Sequence, residues 1–143
     1  MPSETSEILH ASAVALKGRG LLILGRTGSG KSSLALELIS RGASLVADDA
    51  VEVRAGEDGM LYLSSPSSIA GKIEARGLGL LSLPYVEAPA VAALTLDEIE
   101  TERLPGLHET VIAGVALPLL RKVESPTFPS MLHAYLNGQR TDP

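Results

Sequence analysis

The sequence predicts one α/β domain, spanning residues 1–143, that is built on a mixed β-sheet. Three patterns favour this fold class. Four apolar residues in a row run into a glycine-rich loop, a helical segment with one apolar face follows that loop, and short apolar runs separated by turn residues indicate hairpins. A chain of 143 residues can bury one core, and a hydrophobic fraction of 45% argues against disorder. The polar residues 1–7 are expected to fray.

Hydrophobic periodicity and turn residues predict the elements in chain order. The unbroken apolar run 21–24 is typical of a strand that is buried on both faces. The predicted strands are 8–16, 21–24, 45–47, 51–53, 61–63, 91–96 and 111–115, with 51–53 and 61–63 forming a hairpin. The predicted helices are 32–41, 69–75 and 130–136, the last one capped by Ser130 and stopped by Gly138. The glycine-bearing segment 77–83 is expected to be a strand or a turn.

A phosphate-binding loop follows the first buried strand. Residues 25–32 read GRTGSGKS, which is a complete G-x-x-x-x-G-K-S/T motif. Glycines permit positive φ, so that successive backbone N–H groups can point into one concave nest for a polyphosphate. The lysine brings a positive charge to the β- and γ-phosphates, and the serine hydroxyl can ligate Mg²⁺. The predicted nucleotide-binding residues are Gly25, Arg26, Thr27, Gly28, Ser29, Gly30, Lys31, Ser32 and Ser33.

Two adjacent carboxylates, Asp48 and Asp49, follow the next predicted strand, 45–47. If that strand lies beside strand 21–24, both carboxylates emerge at the same sheet edge as the loop. There a carboxylate can hold Mg²⁺ or accept the proton of an attacking hydroxyl. The alternative is a solvated Asp-Asp turn with no chemical role.

Composition excludes several classes of function. The net charge of −5, a single Phe and the absence of Trp argue against nucleic-acid binding. Without cysteine there is no disulfide or zinc-thiolate site, which fits a cytoplasmic protein. The longest apolar run, 111–120, has ten residues and contains a proline, so it is too short to span a bilayer. We therefore expect a soluble cytoplasmic protein with no nucleic-acid or membrane partner.

The motifs together resemble the C-terminal catalytic domain of HPr kinase/phosphorylase. The loop is followed by LALELISRG, then by VADDAVEV, and then by KIEARGLGLLSL over residues 72–83, in which a Glu and an Arg two apart precede Gly-Leu-Gly. His10 stands the family's distance ahead of the loop. The resemblance covers residues 8–83 and continues more loosely to the RLPG segment at 103–106. It is to the short alphaproteobacterial type of member, which lacks the N-terminal domain.

The resemblance implies a fold of the phosphoenolpyruvate carboxykinase/HPr kinase type, with a P-loop in a mixed sheet. It implies a serine protein kinase that uses ATP and Mg²⁺ to phosphorylate an HPr-like phosphocarrier of a phosphotransferase system, in the regulation of carbon and nitrogen metabolism. It further implies a reverse phosphorolysis and a homo-oligomer, a hexamer in the family.

The resemblance also implies roles for single residues. Asp48 would be the base that activates the acceptor serine, Asp49 and Ser32 would serve the metal, and Lys31 would bind the β- and γ-phosphates. The further site residues it implies are His10 near the transferring phosphate, Glu74 at the metal, and the arginines Arg76 and Arg103. On their own, Glu74 and Arg76 would indicate a surface charge pair. His108 and His133 lack metal-site spacing and are interpreted as structural.

Two other functions are compatible with the loop. A small-molecule kinase would use the same loop, although no adenine-stacking aromatic residue stands near it in the sequence. A catalytically silent ATP-sensing module would also bind nucleotide, but it would have no need for the Asp48-Asp49 pair. In addition, the family's Gly-Arg-Asn segment is not evident, and LPLLRKVESPTFPS stands in its place.

Overall fold

The computed structural model of the protein describes residues 6–142, and this part of the chain contains eleven β-strands and two α-helices. The strands are β1 Ser6–Leu9, β2 Ser12–Leu16, β3 Arg19–Leu24, β4 Ser44–Ala47, β5 Val51–Ala55, β6 Leu61–Ser64, β7 Lys72–Ala75, β8 Gly79–Ser82, β9 Ala88–Ile99, β10 Glu109–Ile112 and β11 Val115–Lys122. The helices are α1 Lys31–Ser40 and α2 Phe128–Asn137. Of the segment expected to fray, residues 6 and 7 belong to β1, and residues 1–5 lie outside the described part.

Nine of these strands form one mixed sheet, in the order β1-β5-β6-β9-β3-β2-β4. The twelve-residue strand β9 pairs antiparallel with β6 at its start and parallel with both β3 and β11 further along. Strand β10 pairs antiparallel with β11, whereas β7 and β8 form a separate hairpin. The predicted mixed sheet is therefore confirmed, as is the pairing of segment 51–53 with 61–63, in which Val53 lies opposite Leu63.

Strand β3 is buried on both faces, which explains its unbroken apolar run. Leu22 belongs to the core cluster formed with β2, β5, β6 and β11. Leu21 and Ile23 belong to the cluster on the other face, where α1 and α2 cover the sheet with Leu38 and Leu132 among their buried residues. The side chains of Leu21, Leu22 and Ile23 are completely inaccessible, whereas Leu24 at the end of the strand is only partly buried. The loop that follows β3 is thus attached to a strand whose central residues are fully buried. None of the described helices is long and apolar enough to cross a membrane.

The helix predicted for residues 69–75 is wrong. A short 3₁₀ turn covers Ser67–Ile69, and β7 then pairs with β8 around a turn at Gly77. The burial alternates along β7, because Ile73 is 1% exposed against α1 while Lys72 and Glu74 point to solvent. Residues with good helical propensity thus adopt a strand because one side chain in two can be buried, which local propensity does not reveal.

Three predicted boundaries also change. Segment 8–16 consists of two strands, because the chain breaks at His10 to pass from the β5 edge to the β3 edge. Segment 111–115 contains the ends of two strands, joined by a tight turn at Ala113 and Gly114, both with positive φ. Helix α2 begins at Phe128, so Ser130 lies inside the helix and is not its N-cap, whereas Gly138 does follow its end.

The β7–β8 hairpin predicts a contrast between two substitutions. Ile73→Ala empties a buried site against α1 and should lower the free energy of unfolding by about 2–5 kcal/mol. Leu80→Ala lies on the same hairpin at a side chain that is 67% exposed, and should change it by less than about 0.5 kcal/mol. Urea denaturation of both variants measures the difference, and equal losses would contradict the burial of Ile73.

Candidate active site

The phosphate-binding loop joins the carboxyl end of β3 to the N-terminus of α1. Gly28 and Gly30 have φ of +84° and +101°, a backbone region that L side chains rarely adopt. A Cβ on Gly25 would lie 2.4 Å from the Oγ of Ser29, so that position also has no room for a side chain. The glycines of the motif are therefore required by the shape of the loop.

The N-terminus of α1 is open to an anion. Gly30 is the N-cap residue, no side chain within residues 6–142 caps the helix, and its first turn contains no acidic residue. Backbone N–H groups and the positive end of the helix dipole are thus available at the loop. Lys31 is 8% exposed, and its Nζ donates to the carbonyl oxygens of Gly25 at 2.7 Å and Arg26 at 3.1 Å. These bonds hold the ammonium group against the loop.

The carboxylate of Asp48 is buried and fixed beside the loop. It is 6% exposed, and its Oδ1 accepts hydrogen bonds from Ser32 Oγ at 2.7 Å and from Ser12 Oγ at 2.6 Å. Among residues 6–142 no hydrogen bond uses Oδ2. Because burial of a carboxylate is costly without hydrogen bonds, the two hydroxyls determine where this group can lie.

Asp48 reaches the loop by a different route from the one expected. Strand β4 does not lie beside β3, because β2 lies between them and pairs antiparallel with both. Two strands that are each antiparallel to a third run in the same direction, so the carboxyl ends of β3 and β4 still meet at one sheet edge. The predicted neighbour was wrong, but the two segments share the expected edge.

Asp49, unlike Asp48, is exposed to solvent. Its backbone has φ of +72°, and its side chain is 79% exposed. The Oδ1 of Asp49 lies 3.7 Å from His10 Nδ1, and the Nε2 of His10 lies 3.4 Å from Thr27 Oγ1. His10 therefore stands between the exposed carboxylate and the loop. The residues that the fold brings together at this edge are His10, Ser12, Thr27, Lys31, Ser32, Asp48 and Asp49.

Three residues from the resemblance lie on other elements. Glu74 is on β7 and Arg76 follows it, and within the described chain neither makes a hydrogen bond or ion pair with the loop or with the two aspartates. Arg103 lies in the segment between β9 and β10, where it lines a cavity of about 800 Å³ beside α2. The described residues contain no group of three or more His, Asp or Glu that could hold a metal ion by themselves. The roles of these three residues stay predictions.

Three residues at the site could not be selected from the sequence. Ser12 is 1% exposed and stands two positions after His10. Asp97 on β9 accepts a hydrogen bond from the backbone N–H of Arg26 at 3.1 Å and fixes the start of the loop. Phe128 lines a cavity together with Ser29, so an aromatic ring does lie near the loop, contrary to the sequence-based expectation. For Asp97, the only signal in the sequence was that a polar residue follows an apolar run. Nothing in the sequence pointed to Phe128.

Comparison with known proteins identifies the family. Residues 3–86 match the family model described as the HPr Serine kinase C-terminal domain. The chain belongs to this family. The match includes the loop, the Asp48-Asp49 pair and the segment with Glu74 and Arg76, and it confirms the resemblance.

Curated relatives agree with the HPr kinase family. An HPr kinase/phosphorylase of Peptoclostridium acidaminophilum is 46% identical over 78 residues, which is 54% of this chain and 25% of that protein. One from Bacillus cereus strain B4264 is 48% identical over 75 residues, 52% of this chain and 24% of that protein. The chain thus spans about a quarter of the length of these relatives.

A solved structure confirms the fold. The Hpr(Ser) kinase/phosphatase from Coxiella burnetii matches with a TM-score of 0.73 and 23% identity, covering 92% of this chain and 94% of that one. The predicted fold class, a mixed α/β sheet of the HPr kinase type, is therefore correct.

Ser12 should contribute to stability through the buried carboxylate. Ser12→Ala removes a hydrogen bond to a charged group without changing the packing, and should lower the free energy of unfolding by about 1–3 kcal/mol. Ser68→Ala, at an exposed position, is the matched control and should have no measurable effect. Urea denaturation compares the two; a Ser12→Ala variant as stable as wild type would show that the bond to Asp48 adds nothing.

Proposed function

We propose that this domain transfers the γ-phosphoryl group of ATP to a serine hydroxyl of an HPr-like phosphocarrier protein. The single observation that carries the proposal is the hydrogen bond between Ser32 of the loop and Asp48. It joins a phosphate-binding motif to a carboxylate within one small site, which is the combination that phosphoryl transfer needs. Membership of the HPr kinase family supports the acceptor class.

The donor set at this edge fits Mg²⁺. The hydroxyl of Ser32 and the carboxylate of Asp48 are hard oxygen ligands, and Mg²⁺ in such sites keeps several waters and binds substrate phosphates. A site with few protein ligands is therefore expected. Bound there, the ion would neutralise charge on the β- and γ-phosphate oxygens. The loop amides and Lys31 would orient the phosphates, while Asp97 keeps the loop in place through Arg26.

The two carboxylates differ in ways that separate their roles. The resemblance implies that Asp48 is the base, yet its carboxylate is 6% exposed and accepts a hydrogen bond from Ser32, which would bind the metal. Asp49 is 79% exposed and can meet a serine on the surface of another protein. We therefore propose Asp49 as the proton acceptor and Asp48 as the carboxylate on the metal side. His10, 3.7 Å from Asp49, would orient the base.

In the proposed step one phosphorus–oxygen bond forms and another breaks. The acceptor serine oxygen forms a bond to the γ-phosphorus, the bond from that phosphorus to the β,γ-bridging oxygen breaks, and ADP leaves. The serine proton passes to the Asp49 carboxylate. In the reverse reaction, an oxygen of inorganic phosphate would form a bond to the phosphorus of the phosphoserine, the bond from that phosphorus to the serine oxygen would break, pyrophosphate would leave, and Asp49 would return the proton to the serine oxygen. Homo-oligomer formation and a cytoplasmic location stay predictions from the family resemblance.

A labelling experiment tests the proposed function. The protein is incubated with Mg²⁺, γ-labelled ATP and an HPr-like phosphocarrier from the same source, and label is expected on a carrier serine. It should be absent with Lys31→Ala, because the loop loses the charge that meets the phosphates, and also with a carrier whose acceptor serine is replaced by alanine. Lys72→Ala, at an exposed strand position, is the matched control and should label normally. ATP binding without label on any carrier would favour the sensing module instead.

The division of roles between the aspartates predicts different defects. Asp49→Asn should bind Mg²⁺-ATP normally but lose about 10²–10⁴-fold in transfer rate, which is the usual contribution of a positioned base. Asp48→Asn should instead weaken Mg²⁺-dependent nucleotide binding. Calorimetric titration with ATP, with and without Mg²⁺, and single-turnover transfer measure the two effects. A variant Asp49→Asn that transfers at the wild-type rate would return the base to Asp48.

A further inference from the structure

A cavity of about 370 Å³ opens beside the phosphate-binding loop, on the side away from the aspartates. Its walls come from three separate parts of the chain: the loop and first turn of α1, the end of β9, and the segment that leads from β11 into α2. We propose that this cavity holds the purine base and ribose of the nucleotide, with Phe128 and Leu96 as the surfaces against which the base packs. This inference rests on the proposed function, since it concerns the same nucleotide.

The strand order determines which way a nucleotide bound at the loop would lie across the sheet edge. On one side of β3 lies β2, which carries Ser12, and then β4, which Asp48 follows. On the other side lies β9 with β11 beyond it, and the cavity opens there. The γ-phosphoryl group has to face the carboxylates, where the acceptor enters. The nucleoside end of the same molecule must therefore leave the loop on the β9 side.

The loop and the start of α1 form one wall of the cavity. Ser29, Gly30 and Ser33 all line the cavity, so it is continuous with the loop that would hold the phosphates. The larger cavity, of about 800 Å³, is lined by none of the loop residues 25–33. A base attached to a triphosphate in the loop thus has the smaller cavity as its direct neighbour.

The size and walls of the cavity suit a nucleoside, which combines a flat base with polar edges and ribose hydroxyls. Ligand cavities commonly measure about 300–1,000 Å³ and combine apolar walls with a few polar groups. Leu34, Leu96, Phe128 and Pro129 supply the apolar walls here. The hydroxyl of Ser125, also at the wall, is engaged with Thr127 Oγ1 at 2.8 Å. Glu37, Lys122 and Glu124 add charged groups to the wall, so packing of the base on the apolar side chains would be combined with polar contacts to the ribose or to the edge of the base.

Two variants test the base position independently of the phosphates. Leu96→Trp places a large side chain in the cavity from a partly exposed position at the end of β9, and Phe128→Leu removes the aromatic face but keeps an apolar side chain. Leu107→Trp is the matched control, because this side chain is 77% exposed in the segment between β9 and β10 and does not line the cavity. Each protein is titrated calorimetrically with Mg²⁺-ATP and with Mg²⁺-tripolyphosphate, which carries the phosphates without a nucleoside.

The expected result separates the two ligands. Leu96→Trp should weaken ATP binding by about tenfold or more, and Phe128→Leu by about fivefold, because packing of the base is lost. Binding of tripolyphosphate should stay within about twofold of wild type in both variants. The control should bind both ligands normally.

Other outcomes overturn the inference in distinguishable ways. If both variants lose ATP and tripolyphosphate equally, or lose neither, the base does not lie in this cavity. The same conclusion follows if the wild-type protein binds tripolyphosphate as tightly as ATP. If the wild-type protein binds neither ligand, the proposed kinase function itself fails, and the inference fails with it.

Discussion

The buried carboxylate of Asp48 is the point on which the rest of the site depends. Its Oδ1 receives hydrogen bonds from Ser12 on β2 and from Ser32 on α1, while Asp48 itself follows β4. A carboxylate at 6% exposure is stable only when such bonds are made, so the two strands and the helix are tied to one geometry. The position of the phosphate-binding loop relative to the sheet edge, and the separation of Asp48 from the exposed Asp49, both follow from these bonds.

Strand β9 supplies the second constraint. It is long enough to pair with β6 at its start and with β3 and β11 later, so it joins both parts of the sheet. Three parallel strands, β3, β9 and β11, therefore end at one edge, where ligands of open α/β sheets usually bind. The loop follows the first strand and Asp97 lies near the end of the second. The segment after the third carries the chain to Phe128, so the proposed nucleotide site would have an acceptor side next to Asp48 and a nucleoside side next to Phe128.

Features with a local cause could be predicted from the sequence. The phosphate-binding motif needs glycines at fixed spacing, because the loop has positive φ and a Cβ on Gly25 would meet Ser29. The sequence shows this requirement directly as a glycine pattern. Segment 69–75 was mispredicted because the burial of Ile73 against α1, and not local propensity, selects a strand there. The neighbour of β4 was also mispredicted, because a tight turn after β2 places β2 itself beside β3.

By itself the sequence determined the mixed α/β class, the phosphate-binding loop, the pair of aspartates and the resemblance to the HPr kinase family. Each of these depends on residues that are close together in the chain. Only the tertiary structure decided that Ser12 holds Asp48, that Asp97 holds the loop, that Asp49 and not Asp48 faces solvent, and that Phe128 lies beside Ser29. The physical reason is that these contacts join residues on different strands and helices. The order of those elements is selected by the burial of both faces of the sheet, and this burial requires no fixed spacing between residues in the sequence.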